Sequence, residues 1–207
     1  MKLNKLSSIV SAALVVSAAA FSSSAFADSA TGAGGAPNTA QARLDFQITI
    51  PKVLQFRVGT AAAGTIDLIT FAPTAAQVGN SVAVAGAGGD LTGGAVTAKV
   101  TANSGLVTIS ATTTGALTGT GTNVIPWSEI STTSTVLTSA AAILAAPTIP
   151  ATGLGATVNA PAPTAAGITV ADARWTFAYL NTTVPAAGVY GGTVAKNGRV
   201  TYTASAP

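Results

Sequence analysis

The stretch from Arg43 to Ile50 constrains the fold of this chain more than any other part of the sequence. Apolar and polar side chains alternate there over eight residues without exception. The apolar set is Leu44, Phe46, Ile48 and Ile50, and the polar set is Arg43, Asp45, Gln47 and Thr49. A period of two predicts a β-strand with one apolar face. Pro51, which has no N–H to donate, ends this strand.

Alternating patterns between Gly-rich turns predict further strands. They lie at Val53–Val58, Thr65–Phe71, Ala95–Ala102, Leu106–Ala111, Ile168–Val170 and Arg174–Leu180. Near the end, Asn197-Gly198 between Gly191–Ala195 and Val200–Ala204 predicts a hairpin with a type I′ turn. Helical periodicity is absent at length, so the sequence predicts an all-β fold, an antiparallel β-sandwich of about eight strands.

The middle of the chain carries a weaker pattern. Residues 112–166 are rich in Thr, Ala, Gly and Pro, which favours long loops with short strands. One turn of helix over Ser139–Ala146 is the alternative for that segment.

The first residues have the features of a secretory signal. Lys2 and Lys5 precede an apolar stretch, and Ala25-Phe26-Ala27 matches a small-x-small cleavage site. The apolar part is shorter than the roughly 20 residues of a spanning helix, which disfavours a membrane anchor. We therefore expect a signal peptide at 1–27, a flexible leader at 28–41 and a single domain at 42–207 that includes the strand 43–50. The mature chain, without an integral membrane span, would pass the periplasm to the cell surface or the medium.

Composition excludes most catalytic chemistry. The chain has no His and no Cys, and charged residues make up 7% against 48% hydrophobic. Without the signal peptide, seven basic and six acidic side chains remain, with no basic cluster for a nucleic acid. The five carboxylates after the leader are scattered singly, at Asp45, Asp67, Asp90, Glu129 and Asp172. We expect no enzyme activity, no cofactor and no metal site.

The aromatic residues offer one recognition hypothesis. Trp175 and Tyr179 share an alternating face and are expected in the core. Trp127 follows Pro126 in an irregular stretch, where its ring could stack on a sugar. The alternative function is therefore a secreted monomeric module that binds a glycan or another surface through Trp127.

The strand 43–50 has two interpretations. It is either an ordinary first strand of the sandwich or a strand that completes the sheet of another molecule. Its position between a flexible leader and Pro51 favours the second interpretation, which is a form of β-augmentation. Its four apolar side chains would recur about every 6.8 Å along the strand. An unpaired apolar strand would otherwise be an aggregation hazard.

The order of these segments resembles that of bacterial fimbrial subunits of the chaperone–usher type, such as the cysteine-free CS1-like pilins. A further likeness is the stretch Pro185-Ala186-Ala187-Gly188-Val189-Tyr190-Gly191-Gly192-Thr193-Val194 before the closing strand. The resemblance implies an Ig-like, pilin-like sandwich in which the strand with Leu44, Phe46, Ile48 and Ile50 is donated to the next subunit. It also implies that Ala187–Val194 forms a penultimate strand of the acceptor core. A periplasmic chaperone and an outer-membrane assembly protein would be partners.

The expected function is thus a structural subunit of an extracellular filament, pilus or biofilm matrix. Its main partners would be other copies of itself, and it would serve cell adhesion. Ordinary soluble domains carry about a quarter charged residues, so the low charge of this chain also favours packing against copies of itself.

Overall fold

The structure is a computed structural model that describes residues 30–36, 38–138 and 142–207. The predicted signal peptide at 1–27 lies outside these residues. In the predicted leader, residues 30–36 and 38–41 carry no helix or strand. The chain divides into two units, and the boundary lies between Ile50 and Pro51. The second unit, 51–207, contains every strand of the described residues, and the segment 43–50 belongs to the first unit. We call 51–207 the strand unit.

The described residues are all-β and contain no α-helix. The strands are β1 Leu54–Val58, β2 Ile69–Thr70, β3 Val84–Ala85, β4 Ala87–Gly88, β5 Ala95–Ala102, β6 Thr108–Thr113, β7 Leu117–Thr118, β8 Val124–Ile125, β9 Ile130–Thr135, β10 Gly153–Leu154, β11 Val158–Asn159, β12 Thr169–Tyr179 and β13 Thr201–Ser205. Short 3₁₀ turns lie at Trp127–Glu129 and Val194–Lys196. Six strands have five residues or more and seven have two, against a prediction of about eight strands.

The strands form antiparallel sheets. In the first sheet, β5 lies between β1 and β12. On its other edge β12 pairs with β9, and the short β3 pairs with the last two residues of β12 on the same edge as β5. The second sheet is centred on β6, which pairs with β13 along one edge and with β10 and β11 along the other. Within the described residues, β1 pairs only with β5, and β13 pairs only with β6.

One hydrophobic core joins the inward faces of these two sheets. Alternation places every second side chain of a strand on one face, and the longest strand, β12, alternates buried and half-exposed residues along most of its length. Its Trp175 is fully buried, as are Val100 of β5 and Ile109 of β6. Trp175 and Tyr179 lie in the interior, as their alternating face predicts.

The predicted strands agree best where alternation is regular. The bounds of β5 match the prediction, and β1 and β6 differ from theirs by up to two residues at an end. The two strands predicted at 168–170 and 174–180 are one continuous strand, β12. The strand predicted over Thr65–Phe71 is reduced to β2, because only two of its residues pair with β4.

The terminal hairpin was predicted wrongly. Residues 191–193 form no strand, and the 3₁₀ turn at Val194–Lys196 follows. Asn197 ends that turn in the left-handed region at φ 55°, which its short amide side chain tolerates. The last strand, β13, pairs with β6 instead of with a local neighbour. An Asn-Gly pair favours a bend, but only long-range packing decides whether that bend ends a helical turn or joins two strands.

Candidate functional site

The segment 43–50 keeps its apolar face in solvent. Leu44 is 66% exposed, Phe46 87%, Ile48 86% and Ile50 74%. No residue of this segment belongs to a strand ladder in the described chain. A run of four large apolar side chains without cover is uncommon on a folded protein and makes this segment a candidate interaction surface.

A second unsatisfied region lies where the edges of the two sheets approach each other. At one end of this region Lys52 Nζ donates to the Pro207 carbonyl at 3.3 Å, so the beginning of β1 lies near the end of β13. Neither strand has a ladder partner on this side in the described residues. We call this region the open flank. Its residues are Leu54, Phe56 and Val58 of β1 and Val200, Tyr202, Ala204 and Ala206 in and beside β13.

The side chains of the open flank point to the core but do not reach full burial. In β1, Phe56 and Val58 lie opposite the fully buried Val100 and Ala98 of β5 and therefore share their inward face. Both remain half-buried, and Leu54 is 39% exposed. The inward face of β1 thus borders a part of the core that the described residues leave uncovered.

The β13 side of the open flank has a regular spacing. Val200, Tyr202, Ala204 and Ala206 are all half-buried and pack on the core cluster, while the residues between them are exposed. Four inward positions at a period of two span the same length as the four apolar positions of the segment 43–50. Two of the four are alanines, whose small side chains leave room beside them.

Tyr202 forms the aromatic floor of the open flank. Its ring lies 5.2 Å from the ring of Trp175, tilted by 56°. Burial raises the pKa of the Tyr202 hydroxyl well above its ordinary value, so the phenol is neutral at physiological pH. No charged side chain is among the seven residues that define the flank. Its chemistry therefore suits an apolar β-strand better than a charged ligand.

The opposite side of the core, between β9 and β10, is covered by the chain itself. Residues 142–150 pass from one sheet to the other, and Leu144 and Ile149 join the core cluster together with the buried Pro147. The Trp175 indole N–H donates to the Leu144 carbonyl at 2.7 Å, and the Thr113 hydroxyl donates to the Pro150 carbonyl at 3.0 Å. We call this the closed flank, defined by Leu144, Pro147 and Ile149.

Asn103 fixes the chain just before β1. Its side-chain Oδ1 accepts from the Val53 N–H at 2.7 Å, and its Nδ2 donates to the Pro51 carbonyl at 2.9 Å. Its own backbone N–H donates to the Val53 carbonyl at 3.2 Å. Leu54 pairs with Ala102 in the β1–β5 ladder. The backbone bond and the two side-chain bonds of Asn103 extend this pairing back to Pro51.

The proposed acceptor stretch and the recognition residue lie elsewhere than expected. Most of Ala187–Val194 is exposed and forms no strand, so it does not contribute a penultimate strand to the core. Trp127 is 6% exposed, and its indole N–H donates to the Gly115 carbonyl at 2.7 Å. The expectation that Trp127 recognises a surface is not supported, because its ring packs in the core cluster.

The open flank was missed at the sequence level. The alternation of Val200, Tyr202 and Ala204 was the available signal, but the sequence pattern assigns Val200–Ala204 to a local hairpin. Asn103 carried no signal, since a single Asn after a strand is equally typical of a turn.

Other kinds of site receive no support from the described ranges. They contain no group of three or more carboxylates or other ligating side chains that could hold a metal ion. A helix of sufficient length and hydrophobicity to cross a membrane is not found in the part of the chain that the structure describes.

Comparisons with protein-family models, with curated proteins and with solved structures find no match to this chain.

Proposed function

We propose that this protein is an exported structural subunit of an extracellular filament, in which the segment 43–50 of one copy completes the open flank of the next. The subunit body would be a β-sandwich formed by the two sheets. One observation carries the proposal: four apolar side chains at a period of two lie exposed outside the strand unit, while four inward positions of the same spacing stay half-buried in and beside β13.

The energetics favour a strand as the occupant. Burial of one Leu, Ile or Phe side chain is worth about 1.5–3 kcal/mol, whereas association costs an estimated 4–15 kcal/mol in lost freedom. The burial of four such side chains therefore contributes a free energy of about the same magnitude as the cost of association. The free edge of β13 supplies the difference, because main-chain hydrogen bonds to an added strand give net stabilisation and use groups that otherwise face water.

The arrangement leads to a polymer. Each copy has one donor segment and one open flank, and the two consist of different residues, so the contact is head-to-tail and leaves a free donor and a free acceptor at the chain ends. Contacts of this kind grow into filaments unless they close into a ring. We expect such a subunit to be escorted by a periplasmic chaperone that covers the open flank, and to be passed to an outer-membrane assembly protein. The filament would act in adhesion or in a biofilm matrix.

Two variants test the donor and the acceptor separately. Phe46→Asp with Ile48→Asp removes the apolar face of the donor, and Ala204→Arg places a long cationic side chain in the open flank. Each purified full-length variant should stay monomeric in light scattering and give no filaments by negative-stain electron microscopy. A mixture of the two should form a dimer and stop there, because only one intact donor–acceptor pair exists.

The matched control is Gln47→Asp with Thr49→Asp, which adds the same charge to the other face of the same segment. It should assemble like the unmodified chain. The proposal fails if the unmodified chain stays a monomer of compact size, or if the mixture of the two variants stays monomeric. Unfolding of the Phe46→Asp/Ile48→Asp chain would instead show that these residues belong to their own core.

A further inference from the structure

The short connection between the segment 43–50 and β1 decides whether the segment can fill the open flank of its own chain. Only Pro51, Lys52 and Val53 separate Ile50 from β1. To lie along β1, the segment must reverse direction within these three residues. Resting on the proposed function, we propose that Asn103 and the sequence Pro51–Val53 act together as a clamp that prevents this reversal and so commits the segment to a second copy.

The register of a self-paired strand leaves one suitable loop length. A two-residue loop at 51–52 would place Ile50 opposite Val53 and Ile48 opposite Gln55, which is the outward face of β1. A three-residue loop at 51–53 would place Ile50 opposite Leu54, Ile48 opposite Phe56 and Phe46 opposite Val58. Only this second register turns the apolar face inward.

The three-residue loop conflicts with both the sequence and the observed contacts. Such loops require the left-handed conformation at their third residue, which is Val53, and β-branched side chains resist it. Val53 also has its N–H and its C=O bonded to Asn103, and the Pro51 carbonyl accepts from the same side chain. A turn at 51–53 would break all three bonds.

These contacts assign a positioning role to Asn103. The Asn103 side chain, together with its backbone N–H, holds the last residues before β1 in line with the strand up to Pro51, which itself has no N–H to donate. The clamp disfavours pairing of the segment 43–50 with β1 of its own chain. It involves neither the apolar side chains of that segment nor those of the open flank. It thereby leaves the flank available to the strand of another copy.

The first test removes the clamp. In Val53→Gly/Asn103→Ala the third loop residue can adopt a positive φ and the three hydrogen bonds are reduced to the backbone one. We expect a monomer in which the amides of 44–50 are protected from hydrogen exchange at every protein concentration, with filament yield reduced at least tenfold. Asn123→Ala is the matched control, because it removes one 2.9 Å side-chain bond to a carbonyl, that of Thr120, in an exposed loop. It should leave assembly unchanged.

The second test keeps the folded body intact. Insertion of five Gly/Ser residues between Ile50 and Pro51 leaves every clamp contact in place but gives the segment the length to turn back. A tethered strand has an effective concentration in the millimolar range. At micromolar protein, the open flank should therefore bind its own strand about a thousandfold more often than the strand of a second copy, and assembly should fall accordingly.

The outcomes separate this inference from the proposed function. If the unmodified chain does not assemble, both are overturned. If it assembles, and the clamp variant and the insertion variant assemble to the same extent with no concentration-independent protection of 44–50, the inference is overturned and the proposed function stands. Should the clamp variant fail to fold, the insertion variant decides alone.

Discussion

The two flanks of the core differ in how the chain covers them. On the closed flank, residues 142–150 hydrogen-bond to both sheets, and Leu144 is fully buried. On the open flank, Phe56 and Tyr202 face the same core but remain half-buried. Residues 142–150 cover one side of the core, whereas on the other side only three residues separate Ile50 from β1. Under the proposed function, the strand of another copy covers that second side. This difference is what the following predictions test.

The largest effect is expected on the closed flank. Leu144→Ala should lower the free energy of unfolding of the monomer by about 2–5 kcal/mol, because it leaves a cavity in a core that the chain itself closes. Phe46→Ala, at an exposed position outside the strand unit, should change it by less than about 0.5 kcal/mol. Urea denaturation of both variants below the assembly concentration measures the difference. Equal losses would mean that the segment 43–50 belongs to the monomer core.

Larger side chains should also have different effects in the closed core and in the open flank. Ala111 of β6 is fully buried and Ala204 of β13 is half-buried. Ala111→Leu should cost about 1–3 kcal/mol through overpacking. Ala204→Leu should cost the monomer less than about 0.5 kcal/mol, since Ala204 is half-buried and β13 pairs only with β6 in the described residues. It should nevertheless impair assembly, because the added side chain would occupy the place of the incoming strand. Chemical denaturation and light scattering on the same samples report the two effects.

High pH should destabilise the monomer through its buried phenols. Burial raises the pKa of Tyr202, and burial together with the charge of Glu129 and of Tyr190 raises the pKa of Tyr179. The unfolded chain ionises its tyrosines near pH 10, while the folded chain keeps these two protonated, so stability is complete below pH 10 and falls above it. The slope is at most about 1.4 kcal/mol per pH unit for each group.

Tyr202→Phe should remove part of that slope, which thermal unfolding at pH 8 and pH 11 would measure. The part that remains belongs to Tyr179, whose buried hydroxyl has no hydrogen-bond partner in the described structure. An unchanged slope in Tyr202→Phe would mean that Tyr202 is as solvated as in the unfolded chain.

The smallest effect concerns the end of the open flank. Lys52→Ala removes an exposed hydrogen bond to the Pro207 carbonyl and should change the free energy of unfolding by less than about 0.5 kcal/mol. Assembly should also be unaffected. A large loss in either measurement would show that this contact, rather than the core, holds the two edge strands near each other.

The sequence gives the strands with regular alternation because a period of two is a local property. β5, β1 and most of β12 were predictable for this reason, as was the apolar face of 43–50. In residues 112–166 the long loops with short strands were predictable, but the packing of their buried residues was not. That packing depends on tertiary contacts: the Trp127 indole N–H donates to the Gly115 carbonyl, and the Leu144 carbonyl accepts from Trp175. Small residues of the kind found there are compatible with loops and strands alike.

By itself, the sequence determined that the chain is β-rich and that Leu44, Phe46, Ile48 and Ile50 share one apolar face. Only the tertiary structure showed on which side the core residues remain half-buried. The pairing of β13 with β6, the cover over the closed flank and the contacts of Asn103 join residues up to about a hundred positions apart. No local pattern encodes such contacts, because they depend on which strands lie side by side once the core has formed.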